Sequence, residues 1–211
     1  MLVGEGQAWL DGVEQAWEIL TSLHPDDVCR NTKAHYIKST GNYVLPLFNT
    51  NVYVSPEERR IQGDSGIAKL LLDELPHYSI LAILWYLIKA KDIALSGNLV
   101  KPGEVGGGFI FTQGSYVLPL ERLEERYGDS IEKFVEKGIA LAGESVQYGD
   151  AAVKLFPFPR VPAVLLIWKK DEEFPARADI LFDSTCSEHL PTDILWSTAM
   201  MSILLMTTLS V

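Results

Sequence analysis

Three stretches of this chain gather side chains able to do chemistry. The densest is Trp168-Lys169-Lys170-Asp171-Glu172-Glu173-Phe174-Pro175, with Asp179 and Asp183 shortly after it. It begins where a near-continuous apolar run ends, and strand ends in open sheets often hold binding sites. Asp179 and Asp183 are four residues apart, so a regular strand points them to one face. If that strand pairs with the preceding one, Asp171 or Glu173 could converge with Asp183. Clustered carboxylates serve hard cations, or acid–base work where a like charge raises one pKa. The plainer alternative is a solvated acidic turn, with Asp183 capping the segment that follows. Trp168, Phe156, Phe158 and Phe174 either line a flat pocket or belong to the core.

The second stretch is Lys101-Pro102-Gly103-Glu104-Val105-Gly106-Gly107-Gly108. Glycines let backbone N–H groups approach an anion, but phosphate loops end in Gly-Lys-Ser/Thr or read Gly-x-Gly-x-x-Gly before a helix. Neither pattern occurs, Glu104 repels phosphate, and Phe109-Ile110-Phe111 continues as a β-like run. Gly106, Gly107 and Gly108 therefore form either a ligand-facing loop or a left-handed turn that suits glycine. The third stretch is Asp183-Ser184-Thr185-Cys186-Ser187-Glu188-His189. Cys186 and His189 are three apart, so one helical turn puts them on the same side. That pair fits a thiolate with its base, or half of a transition-metal site. It equally fits a small buried cysteine beside a surface histidine. His24, His35 and His77 are scattered, so no metal-ligand set is assigned. Gly-x-Ser-x-Gly, His-Glu-x-x-His and Cys-x-x-Cys are all absent, so the familiar hydrolase, zinc-protease and thiol-redox classes get no support. No catalytic residue is assigned.

The elements that must position these groups follow from periodicity. Residues 7–23 repeat apolar side chains at helical spacing (Trp9, Leu10, Val13, Ala16, Trp17, Leu20), and His24-Pro25-Asp26-Asp27 starts a new turn of helix. Residues 34–62 are β-rich, with Asn49-Thr50-Asn51 as the expected turn and Pro46 confining its strand to an edge. Residues 67–75 and 78–90 form two helices, the second apolar almost all round, as a central core helix is. Helices over 118–127 and 130–141 precede strands over 153–156, 163–168 and 178–182. The run Val161-Pro162-Ala163-Val164-Leu165-Leu166-Ile167-Trp168 suits a central strand buried on both faces. Pro191 opens a last helix. The fold class expected is α+β: one domain, residues 1–211, with a mixed, mostly antiparallel sheet packed against helices.

Composition narrows the partners. With 211 residues, the chain can bury a core without a disulfide or structural metal. A formal net charge of −10 lacks the field that phosphate neutralisation needs, which argues against nucleic acid and anionic membrane surfaces. Two separated cysteines and no signal peptide suggest a reducing, cytoplasmic setting. Residues 194–211 carry no charge, but Ser197, Thr198, Ser202, Thr207, Thr208 and Ser210 interrupt them and no Lys or Arg flanks them. A buried helix fits this pattern better than a tail anchor.

The last third also carries a resemblance. Tyr148-Gly149-Asp150-Ala151-Ala152, Phe156-Pro157-Phe158-Pro159-Arg160-Val161-Pro162, Asp171-Glu172-Glu173-Phe174-Pro175-Ala176, Ile180-Leu181-Phe182-Asp183 and Leu190-Pro191-Thr192 occur in that order. So do Ala16-Trp17, Tyr86-Leu87 and Gly106-Gly107-Gly108. Together they resemble an uncharacterised domain-of-unknown-function family of strictly anaerobic bacteria and methanogens. Some members are joined to an iron–sulfur domain of the corrinoid-protein type, and a chain with two cysteines cannot hold a four-cysteine cluster itself. The resemblance implies an accessory or binding protein in anaerobic one-carbon or corrinoid-linked metabolism, with a methyl-transfer protein as a possible partner. A corrinoid or a divalent metal is the cofactor class to test. Gly106, Gly107, Gly108, Arg160, Trp168, Asp171, Glu173 and Asp183 are the candidate ligand-binding residues. The alternative is a metal-dependent enzyme using Asp171, Glu173 and Asp183.

Overall fold

The computed structural model describes residues 3–108, 111 and 114–208. Helix α1 (Val3–Ser22) presses Ala16, Trp17 and Leu20 into the core, where it packs on α4 (Pro76–Lys89). Helix α2 (Pro25–Thr32) opens with Pro25 and the two acids of its first turn. Those acids complement the helix dipole. Its C-cap, Lys33, takes a left-handed φ of 62°.

An antiparallel meander follows: β1 (His35–Ile37), β2 (Asn42–Leu47), β3 (Thr50–Ser55) and β4 (Arg60–Gln62), in that spatial order. Leu47 opposes Thr50, so the β2–β3 turn is Phe48-Asn49 rather than Asn49-Thr50-Asn51. Phe48 adopts a φ of 47°, and its N–H reaches Phe156 O at 2.7 Å, joining this sheet to the larger one. Strand β2 is an inner strand, not the edge that Pro46 implies. Strand β1, however, reaches only Asn42, Tyr43 and Val44, so Pro46 faces Asn51 of β3 and no residue of β1. The proline's missing donor therefore costs the β1–β2 ladder nothing.

Short helix α3 (Gly66–Lys69) is capped by Ser65, which accepts from Ala68 N, and runs into a π-turn over Leu70–Glu74. Helix α4 then buries Ser79, Ala82, Ile83, Leu84, Tyr86 and Leu87. It is the central helix its all-round apolar sequence predicts.

The second sheet has the order β5-β9-β8-β7-β6, and every described pairing in it is antiparallel. Its strands are β5 (Leu99–Val100), β6 (Glu144–Val146), β7 (Ala151–Phe158), β8 (Val161–Trp168) and β9 (Arg177–Asp183). Strand β8 is central and buried from Val161 to Ile167; Trp168 alone emerges partly. Between β5 and β6 lie the glycine-rich segment and helices α5 (Glu121–Tyr127) and α6 (Ile131–Ala140). The β-like reading of Phe109 and Ile110 falls outside the described residues.

After β9 come α7 (Cys186–His189) and α8 (Thr192–Thr208), the latter buried from Ile194 to Met206 except Trp196. The hydroxyls of Ser197, Thr198, Ser202 and Thr207 each donate to the carbonyl four residues back. Those internal bonds let a helix with scattered polar groups enter the core. No described helix is long and apolar enough to cross a membrane. The fold is α+β, as expected, with two antiparallel sheets in place of one mixed sheet.

Candidate functional site

The hairpin of β8 and β9 builds a cleft at one end of the larger sheet. Its register sets Trp168 opposite Arg177, so the two side chains leave the same face. The Arg177 guanidinium carbon lies 4.6 Å from the centroid of the indole ring. Such a contact is worth about 0.5–1 kcal/mol when exposed. The connecting loop, residues 169–176, is held in one shape by Asp171. Its Oδ1 accepts from Glu173 N at 2.8 Å and Phe174 N at 2.7 Å, while Asp171 N donates to Phe174 O at 3.0 Å. These N–H groups hold the Asp171 carboxyl below its ordinary range, Phe174 N contributing most. Lys170 ties the loop to the α5–α6 turn: its N–H donates to Gly128 O at 3.2 Å and its ammonium pairs with Asp129 at 2.6 Å.

The cleft is open to solvent on one side, offers about 670 Å³ and is lined by Glu124, Asp150, Trp168, Lys169, Asp171 and Phe174, with Pro175, Ala176 and Arg177 completing it. A volume of that order suits a drug-sized molecule. Phe174 is 67% exposed at the mouth. Asp150 accepts from Lys169 N at 2.9 Å, and Glu124 accepts from Ala178 N at 2.9 Å. The latter bond caps the open edge of β9, where β5 pairs only with Phe182 and Asp183.

The structure divides the sequence's candidates into separate places. Trp168 and Asp171 meet in the cleft, with Glu173 exposed in the same loop. Asp183 does not join them. Antiparallel pairing runs β9 away from the loop, so Asp183 lies six residues from Arg177, roughly 20 Å along the strand. The expected convergence of Asp171 or Glu173 with Asp183 is thereby corrected, and with it the shared cation site. Among the described residues, no three His, Cys, Asp or Glu side chains come together to hold a metal.

Asp183 instead does structural work. It is 3% exposed and accepts from Ser96 N, Ser96 Oγ, Gly97 N, Thr185 N and Thr185 Oγ1 at 2.7–3.1 Å. Burial pushes its pKa up, but the Thr185 hydroxyl and the N–H groups of Thr185, Ser96 and Gly97 outweigh it and hold the carboxyl at about 2.

Arg160, at the β7–β8 turn, is likewise internal. Its guanidinium donates to Ile93 O at 2.9 Å, to Arg30 O at 3.0 Å and to the Asp92 carboxylate. Its N–H donates to the hydroxyl of Tyr86, which in turn donates to Thr32 O and whose ring stacks on Phe158. This network clamps α2, the segment after α4 and the β7–β8 turn together, some eight residues of β8 away from Trp168.

The triple glycine belongs to a third place. Gly106 O accepts from Thr192 Oγ1 at 2.8 Å, at the start of α8. Gly107 has a φ of 79°, and a Cβ on Gly108 would come 1.9 Å from Pro102 O. None of the three lines the Trp168 cleft; Gly103 lines a smaller hollow of about 290 Å³ along β9 with Lys101, Phe111 and Asp179.

Cys186 and His189 share α7 and are both fully buried. A surface position for the histidine is thus corrected. Burial pushes the Cys186 thiol up to about 11, which disfavours a thiolate nucleophile. His189 Nδ1 accepts from Lys91 N at 3.2 Å, and burial, followed by the Arg160 charge, lowers its pKa. Both cysteines are free thiols.

The residues that sequence reasoning missed are Arg177, Glu124 and Asp150. A hairpin reading of residues 161–183 contained the signal for Arg177, since closing a loop after Trp168 brings the first residue of the next strand opposite it. Glu124 and Asp150 arrive from other elements and left no local mark. A family model described as Domain of unknown function (DUF3786) matches residues 24–204. No curated protein and no solved structure matches the chain.

Proposed function

The chain belongs to that family of unknown function, and from this premise we propose that it is a binding protein whose cleft at the β8–β9 hairpin takes a small molecule. The observation that carries the reading is the joining of an indole, an exposed phenyl ring, two cationic side chains and three carboxylates in one hollow of about 670 Å³. Apolar walls with a few convergent polar groups are the usual make-up of a ligand site. The loop forming one wall is preorganised by Asp171, which lowers the ordering cost of binding. The setting we propose is the corrinoid-linked, anaerobic one that the sequence resemblance implies, with a methyl-transfer protein as the neighbouring partner.

The test is purification without oxygen, followed by an absorbance spectrum and calorimetric titration with corrinoids and folates. Saturable heat with wild type, lost in Trp168→Ala, supports the reading. Heat that is the same in both proteins places binding elsewhere, and no heat with any of these ligands removes the corrinoid-linked setting.

A further inference from the structure

We infer that the ligand of this cleft is a planar ring carrying one carboxylate, with Arg177 as the residue that binds the carboxylate; this rests on the cleft being a ligand site. Arg177 lies over the Trp168 ring with its guanidinium carbon 4.6 Å from the centroid, a cation–π contact that favours this placement. A cation–π contact uses none of the guanidinium's hydrogen-bonding geometry for a carboxylate, so its N–H fork remains available to a planar oxyanion. Among the described residues that fork has no ion pair and no side-chain hydrogen bond.

The lack of an ion pair is informative because three carboxylates line the same cleft. Each is committed to a backbone N–H: Glu124 to Ala178, Asp150 to Lys169, and Asp171 to Glu173 and Phe174. One oxygen of each acid thus caps backbone in the loop or at the β9 edge, and none of the three pairs with Arg177. The cation that could have paired with them is left pointing at the hollow, with Lys169 as a second positive charge on its wall. A carboxylate from outside completes the fork, and its ring lies against the exposed faces of Phe174 and Pro175.

The same three acids limit the ligand's charge. A phosphate monoester brings close to two negative charges at neutral pH, and three resident carboxylates repel it more strongly than a monoanion. A neutral ring reaches the fork only through an uncharged acceptor and forfeits the charge-assisted bidentate pair.

Nuclear magnetic resonance titration of the full chain with three probes tests this, following the indole N–H of Trp168 and the Nε–H of Arg177. The probes are benzoate, its neutral isostere benzamide, and phenyl phosphate. Benzoate is expected to shift both signals and to bind about tenfold tighter than benzamide. Phenyl phosphate is expected to bind more weakly than benzoate. Arg177→Lys keeps the charge and loses the planar fork, and is expected to erase most of the benzoate preference while the protein stays folded. Equal binding of benzoate and benzamide overturns the inference and leaves the cleft a ligand site. Tighter binding of phenyl phosphate overturns the choice of a single carboxylate. If neither benzoate nor benzamide moves the Trp168 signal, both the inference and the cleft reading fall.

Discussion

Asp183 and His189 lie close in sequence, are both buried, and respond to acid in the same direction for different reasons. Asp183 keeps its charge because five donors surround it, and its carboxyl titrates near 2 where an ordinary aspartate titrates at 3.8. The unfolded chain takes up that proton first. The stability Asp183 contributes is therefore complete above pH 3.8 and is lost as pH falls towards 2. His189 is a buried neutral base whose pKa lies below 6.5, with its Nδ1 already accepting from Lys91 N. Its contribution is complete above pH 6.5 and declines as pH falls below that value, because the unfolded histidine protonates first. Thermal unfolding followed from pH 8 to pH 5 is expected to show a falling midpoint that His189→Gln flattens. An unchanged slope in the variant would place the titrating group elsewhere. Arg177→Ala is expected to cost less than about 1 kcal/mol by denaturant unfolding, since its side chain is exposed, whereas Trp168→Ala, which strips an indole packed on Ala152, Val164 and Leu166, is expected to cost roughly 1–3 kcal/mol.

At the scale of elements, the hairpin decides what the residues can do. The sequence shows that residues 161–168 form a buried strand and that residues 178–182 form another, and both are there. What periodicity leaves open is direction. An antiparallel return puts Arg177 beside Trp168 and carries Asp183 to the far end, so that Asp171 and Asp183 part company. The shape of the glycine-rich segment was half legible. Gly107 takes a left-handed turn, one of the two alternatives the glycines left open, but the segment's docking onto Thr192 depends on α8, about 85 residues later, which local sequence does not encode. Gly108→Ala places a methyl group 1.9 Å from Pro102 O, so this backbone must move. We expect a loss of roughly 2–4 kcal/mol by chemical denaturation. Because the glycines lie outside the Trp168 cleft, benzoate binding to the folded fraction is expected to be unchanged.

At the scale of the whole molecule, α1 precedes the segment matched by the family model, which begins at residue 24. It is nevertheless part of this core: Ala16, Trp17 and Leu20 are at most 3% exposed. Burial of large apolar side chains stabilises by roughly 1.5–3 kcal/mol each. Removing residues 1–23 uncovers one side of α4 and is expected to lower the thermal midpoint by 10 °C or more, on the order of 4 kcal/mol for a chain of this size. Differential scanning calorimetry would show it, and an unchanged midpoint would mean that α1 only rests on the surface. The helical segments, the buried central strand and the apolar last helix could all be read from periodicity, because each satisfies its own pattern of burial. The cleft could not, since Glu124 from α5, Asp150 from the bend just before β7 and Arg177 from β9 meet only once the layers have packed.

The most direct measurement is equilibrium dialysis of the full chain against a small-molecule extract prepared under nitrogen, with mass spectrometry of what each protein retains. Wild type is expected to retain a compound bearing an aromatic ring and a carboxylate, and Trp168→Ala to release it. Retention of the same compounds by both proteins, or of none by wild type, would contradict a ligand site at the end of the β8–β9 hairpin.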